Sequence, residues 1–224
     1  MSEKIQPKIS DADKPTSTPK TPQDAWQRLK DGNDRFIAGE TLHPHQDAQR
    51  RKELEHKQKP FAVIFGCSDS RLAAEIIFDL GLGDAFVIRT AGQVIDNAVL
   101  GTLEYAIDVL GTPLIMVLGH DSCGAVTATK NAVDSGELPR GFQRDLVERI
   151  TPSVLESKRQ GLNSVHEMVI EHTKQTAARM LDQSRSIAAA VSKGDAAVIG
   201  VFYHLDAGKA ELVYGHGPWF PERD

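Results

Sequence analysis

The apolar positions of the chain fall into two rhythms that alternate along its length. Phe61-Ala-Val-Ile-Phe65, Ala85-Phe-Val-Ile88, Leu114-Ile-Met-Val-Leu118 and Ala196-Ala-Val-Ile-Gly-Val-Phe202 are short, nearly continuous apolar runs, the first bracketed by Pro60 and Gly66. Such runs predict strands buried on both faces. Between them, helical spacing recurs over 72–79, 95–110 and 123–134, so strand and helix alternate as in a mainly parallel sheet. Leu146, Ile150, Val154 and Leu155 mark a further helix, and 165–191, free of Pro and Gly, reads as one long helix. Near the N-terminus Trp26, Leu29, Phe36 and Ile37 follow Thr21-Pro22, a cap residue with proline at the first helical position, which predicts a helix over 22–38. The polar stretch 39–59 has no periodicity that decides its form. Asp206-Ala-Gly208 reads as a turn into a last strand, 211–214, antiparallel at the sheet edge. The expected fold class is therefore α/β: a mainly parallel central sheet flanked by helices, with an antiparallel C-terminal edge strand.

Composition narrows the setting. With 224 residues, 40% of them hydrophobic and 25% charged, the chain suits one soluble domain with a sizeable core, placed here at 22–224. Residues 1–21, rich in Lys, Ser, Thr and Pro, read as a disordered tail. They contain no apolar run that would make a secretory leader, and no stretch of about 18 apolar residues elsewhere predicts a membrane span. A net charge of −5 and the absence of a basic cluster exclude the electrostatic footprint of a nucleic-acid binder. The protein is expected to be cytoplasmic, where disulfides seldom persist, so its two cysteines, Cys67 and Cys123, are available for metal or chemistry.

Those cysteines sit in the two segments with chemical promise. Cys67-Ser-Asp69-Ser-Arg71 follows one buried strand directly, and His120-Asp-Ser-Cys123-Gly124 follows another. In an open α/β sheet the carboxyl ends of the strands line the ligand crevice, so both segments should face one space. Two thiolates and an imidazole suit Zn2+, and three protein ligands leave the fourth position that a catalytic zinc requires. Other readings of the same residues stand beside this one. Buried cysteines are commonly small hydrophobes, and Cys123 with His120 could form a nucleophile and its base at a helix start. Asp69 and Arg71 could be an ordinary surface ion pair, or a carboxylate that either binds the open metal position or turns away onto the guanidinium.

Cys-Ser-Asp-Ser-Arg followed by His-x-x-Cys-Gly resembles the signature of the β-class carbonic anhydrases. Phe86-Val-Ile-Arg-Thr-Ala-Gly92, Gly101-Thr-Leu-Glu-Tyr105-Ala and Leu118-Gly-His-Asp-Ser-Cys-Gly124 support it, and the likeness extends from about Trp26 to Tyr214. The resemblance implies a carbonate dehydratase that hydrates carbon dioxide to bicarbonate on Zn2+. It implies Cys67, His120 and Cys123 as metal ligands, with Asp69 as a fourth ligand in a closed state. It also implies Asp69 and Arg71 as the catalytic pair that orients the nucleophile, and Gly124 and Gln58 at the substrate, the last reaching across a subunit interface as in plant-like members. Ile64 stands where the bicarbonate-inhibited subgroup carries tryptophan, so that inhibition is not expected, although Arg89 matches an arginine of its site. A homodimer or homotetramer follows from the shared site. Hydrolysis of carbon disulfide or carbonyl sulfide on the same zinc site is the alternative activity.

Overall fold

The computed structural model describes residues 17–217, Trp219 and Phe220; positions 1–16 of the expected tail lie outside the described residues. Helix α1 (Pro22–Ala38) begins as the sequence predicts, the Thr21 side chain accepting from the Asp24 N–H and Gly39 closing the helix at φ 73°. The undecided polar stretch contains one short helix, α2 (Ala48–Glu53). Strand β1 (Ala62–Cys67) is followed by α3 (Ala74–Ile77), β2 (Ala85–Thr90), α4 (Asn97–Asp108) and β3 (Leu114–His120). Then come α5 (Gly124–Ser135), α6 (Gln143–Arg159), α7 (Val165–Gln183), α8 (Arg185–Lys193), β4 (Ala197–His204) and β5 (Lys209–His216).

The five strands form one sheet in the order β2-β1-β3-β4-β5. All neighbours are parallel except β4 and β5, which pair antiparallel as expected for the last strand. Side chains alternate between two buried layers. Ile64, Met116, Leu118 and Ile199 face a cluster that includes Leu29, Val126, Ile150 and Val169. Val63, Phe65, Ile115, Val117 and Val198 face Val99, Leu103, Met180 and Ile187. Burial on both faces is why these strands read as continuous apolar runs. The chain leaves β1 toward β2 on one side and returns past it to β3 on the other. The carboxyl ends of β1 and β3 thus flank the switch point where such sheets hold ligands. No described helix is long and apolar enough to cross a membrane.

Two predicted helices differ in extent. The long helix expected over 165–191 is broken at Ser184, which ends α7 and caps α8: its hydroxyl oxygen accepts from the Ile187 N–H and its hydroxyl donates to Glu104 on α4. A serine can break a helix because its side chain replaces a backbone acceptor. The helix expected over 72–79 is a single turn, stopped where Asp79 adopts φ 47° and gathers the N–H groups of Leu42 and His43 and the Arg35 guanidinium on its carboxylate.

Helix α1 is fastened to the sheet through Asn33, 3% exposed. Its amide donates to the carbonyls of Ile77 and Gly208, and its oxygen accepts from the Ala210 N–H. Both amide hydrogens and the amide oxygen are spent on backbone from two segments, at 77 and at 208–210. Asn33→Ala leaves those groups buried without partners and should destabilise the fold by about 3 kcal/mol, seen as a lower midpoint in urea denaturation; an unchanged midpoint would contradict this role.

Candidate metal centre

Strand register brings the two chemical segments together. β1 and β3 pair Gly66 with Leu118, so Cys67 and His120 leave adjacent strands at one edge, and Cys123 follows a tight turn as the residue capping α5. Ser122 enables that turn with φ 53°. The ligand atoms of Cys67, His120 and Cys123 lie within 4.8 Å of one another, and all three residues are buried. His120 Nδ1 is 2.7 Å from the Asp121 carbonyl. A carbonyl only accepts, so Nδ1 carries the proton and Nε2 presents a lone pair. That Nε2 is buried with no hydrogen-bond partner. A buried imidazole nitrogen left bare beside two sulfurs fits a metal, because an uncompensated buried acceptor is otherwise costly.

The thiols respond to each other. Cys67 is pulled well below the ordinary thiol range, chiefly by the Cys123 thiol and then by the backbone N–H groups of Gly92 and Asp69. Cys123 is pushed above the ordinary thiol range by Cys67 and by burial. Two adjacent anions in a dry site repel one another, so without a cation only one ionises.

Asp69 is not among the converging atoms. Its carboxylate is gripped by Arg71, with Nε to Oδ1 at 2.9 Å and Nη2 to Oδ2 at 2.8 Å, and the Arg71 backbone N–H adds a third bond at 3.0 Å. Arg71 holds the Asp69 carboxyl well below the usual carboxylate range, so it stays ionised. Arg89 takes a backbone role: Nε donates to the Cys67 carbonyl and Nη2 to the Asp69 carbonyl, fixing the loop that carries both residues. Gly124 is the exposed first residue of α5, with nothing within 4 Å of where a Cβ would stand.

Gln58 lies elsewhere. It lines a cavity of about 680 Å3 with Leu82, Gly83, Tyr105 and Leu110, at the amino ends of β1 and β2. Strand β1 alone separates that end from Cys67 by about 17 Å, at roughly 3.3 Å per residue, so Gln58 cannot reach the cysteines of its own chain. The sequence reading assigned no role to Gly92, yet its N–H meets the Cys67 sulfur at 3.2 Å. The visible signal was a glycine closing the segment after a strand. A second convergence, Asp121, His204 and Asp206, is open to solvent, and the Asp121 carboxylate is engaged by His166 and the Leu205 N–H.

Comparison with known proteins agrees with this geometry. The family profile described as carbonic anhydrase matches residues 62–210. A carbonic anhydrase of Mycolicibacterium smegmatis is 56% identical over 191 residues, covering 85% of this chain and 93% of the relative. Carbonic anhydrase 2 of Mycobacterium tuberculosis is 55% identical over 191 residues, covering 85% and 92%. Among solved structures, a tetrameric β-carbonic anhydrase of Sordaria macrospora shares the fold with a TM-score of 0.69 at 20% identity, over 87% of this chain and 100% of that one. The β-carbonic anhydrase CcaA aligns with a TM-score of 0.65 at 26% identity, over 84% and 86%.

The unequal thiols make a chemical signature. In metal-depleted protein the pair holds a single thiolate through the neutral range, on Cys67, which is pulled below the ordinary thiol range, while Cys123 is pushed above it. Iodoacetamide should modify one thiol per chain, mapped to Cys67 by peptide mass spectrometry, at a rate nearly flat between about pH 6 and 8. An ordinary thiol would instead react roughly tenfold faster per unit over that range, and such a climb would contradict the assignment.

Proposed function

The chain belongs to the β-carbonic anhydrase family, and from that premise we propose that it is a zinc enzyme hydrating carbon dioxide to bicarbonate at Cys67, His120 and Cys123. The observation that carries the assignment is the convergence of two thiols on a buried imidazole nitrogen that has no other partner. Two sulfurs and a nitrogen suit zinc, and three protein ligands leave one position for the reactant. When bound, zinc supplies a water acidic enough to act as a nucleophile near neutral pH. Cys67 and Cys123 donate more charge than imidazoles would, which leans the activity alkaline.

The remaining work falls to the chain. Asp69, kept ionised and turned away by Arg71, accepts a hydrogen bond from the nucleophile and aims its lone pair at the carbon of carbon dioxide. Asp69 swinging from Arg71 to the vacant ligand position would close the site. Gly124 offers open space and a first-turn N–H, a group that a helix leaves without an internal acceptor, for an oxygen of bicarbonate. The high identity to carbonic anhydrases over nearly their whole length supports carbon dioxide over carbon disulfide or carbonyl sulfide. The protein works in the reducing cytoplasm, where both cysteines stay available as thiols.

The site is completed by a second copy. Gln58 stands at the wrong end of the sheet for its own cysteines, so a Gln58 at the substrate belongs to the neighbouring subunit. Strand β2 is a half-exposed edge, beside Tyr105 of α4 at 46% and Val109, which caps that helix, at 63% exposed; an apolar sheet edge of this kind calls for a partner. Two-fold symmetry then exchanges Gln58 reciprocally, giving a homodimer or a homotetramer made of two such dimers, in the plant-like manner.

Metal analysis with stopped-flow hydration tests the first claim. Wild-type protein should hold one zinc per chain and hydrate carbon dioxide, and Cys123→Ser should lose most of both; wild-type zinc content in that variant would remove Cys123 from the ligand set. The shared site is tested by mixing Gln58→Ala chains with chains disabled by Cys67→Ser. One site of each mixed dimer then carries both defects and the other neither, so activity should rise above that of both parents. No recovery despite demonstrated subunit exchange and an impaired Gln58→Ala parent would refute it.

A further inference from the structure

We infer that His172 is a positioning residue for the metal centre: its Nε2–H anchors the Gly92 carbonyl, so that the Gly92 N–H stays directed at the Cys67 sulfur. The inference rests on the proposed role of Cys67 as a zinc ligand. His172 stands on α7, 1% exposed, with Nε2 2.8 Å from the Gly92 carbonyl oxygen. That oxygen can only accept, so Nε2 carries the hydrogen. Burial pulls His172 down to about 4, which keeps the ring neutral and leaves Nδ1 as an acceptor. Nδ1 faces the Ser153 hydroxyl of α6 at 3.0 Å. The same hydroxyl lies 3.0 Å from Gln175 Oε1, which also accepts from Arg179 Nη2, so the one hydroxyl proton is shared between that oxygen and Nδ1, and the Gly92 carbonyl fixes the tautomer. The ring is clamped from both sides and its tautomer is set.

Gly92 needs such an anchor. It adopts φ 68°, and a Cβ there would lie 2.8 Å from the Ala125 Cβ and 2.9 Å from Ile150 Cδ1. Only glycine fits, and glycine is the residue least able to hold a conformation by itself. Its N–H is spent on Cys67 and its carbonyl on His172, so the two bonds fix one pair of peptide planes between sulfur and imidazole. Filling space would need no imidazole at this position. A side chain that donates to the loop behind a ligand sets that ligand's orientation and its charge donation. An N–H on a thiolate withdraws charge from the sulfur, which leaves the metal a stronger Lewis acid. Losing it raises the thiol's proton affinity, so protons compete better with the metal.

The test compares His172→Leu, which keeps bulk but loses the donor, with His172→Gln, whose amide N–H can still reach the Gly92 carbonyl. Bulk matters because His172 lines a cavity of about 520 Å3 together with Arg149, Thr176 and Arg179. In folded His172→Leu protein, zinc affinity against a chromophoric chelator should fall by about tenfold. The sulfur-to-cobalt charge-transfer band of cobalt-substituted protein should move to longer wavelength, and the pH midpoint of hydration should shift upward. His172→Gln should recover most of each change. Should His172→Leu fail to fold, Ser153→Ala, which removes the donor to Nδ1 while leaving His172, should move the cobalt band the same way by less. Unchanged affinity, band and midpoint in a folded variant would overturn the inference, as would loss of all three without recovery by Gln. Wild-type protein that takes up neither zinc nor cobalt in the same titration would instead overturn the metal assignment itself.

Discussion

Two thiols buried against each other are the constraint on which the rest of the site depends. Charges of one sign in a dry pocket repel strongly, and Cys67 and Cys123 settle this in the bare chain by sharing a single ionisation. The surroundings nonetheless favour negative charge: Gly92 and Asp69 direct N–H groups at Cys67, and the first turn of α5 stands behind Cys123. A pocket built for two anions and lined by a bare imidazole nitrogen asks for a divalent cation. Each donor is then held by something further out. Arg89 fastens the carbonyls of Cys67 and Asp69, and the Asp121 carbonyl sets the His120 tautomer.

The inner and outer sides of this arrangement differ in kind. Inside, Gly92 and His172 behind Cys67 are buried and bonded to one another, so they allow one geometry. Outside, the Asp69 and Arg71 pair is a bidentate grip with half of Arg71 in solvent, where water and salt weaken an ion pair. The proposed movement of Asp69 between Arg71 and the ligand position needs a partner that the carboxylate can lose. Rigidity at the ligands and looseness at the carboxylate are thus placed where each is useful.

Much of this was legible in the chain. Strands β1, β3 and β4 announced themselves as apolar runs because both faces are covered, whereas β2 is apolar yet half-exposed at the edge; Cys67 and His120 come together because strand ends converge in such sheets. What escaped was set by single side chains acting at a distance. Ser184 breaks a helix that periodicity alone continues, since its capping oxygen leaves the apolar spacing intact. Asp79 stops α3 by collecting donors from residues 35, 42 and 43, contacts that exist only once α1 is docked. The N–H of Gly92 on Cys67 joins positions 25 residues apart through backbone atoms, which leave no trace in residue type beyond the glycine itself.

The pairing of β1 with β3 also governs how such a chain can vary over evolutionary time. Alternate positions along these strands feed opposite cores, and the last positions deliver Cys67 and His120. Substituting one branched apolar residue for another disturbs packing by a little, while inserting or deleting one residue within β3 would swap the two faces and carry His120 out of line together. Core and centre share one reading frame, so lineages descending from this sequence should differ freely in the spelling of their strands and hardly at all in strand length. Changes of length should fall instead in the connections at 136–142 and 160–164, where the frame no longer counts.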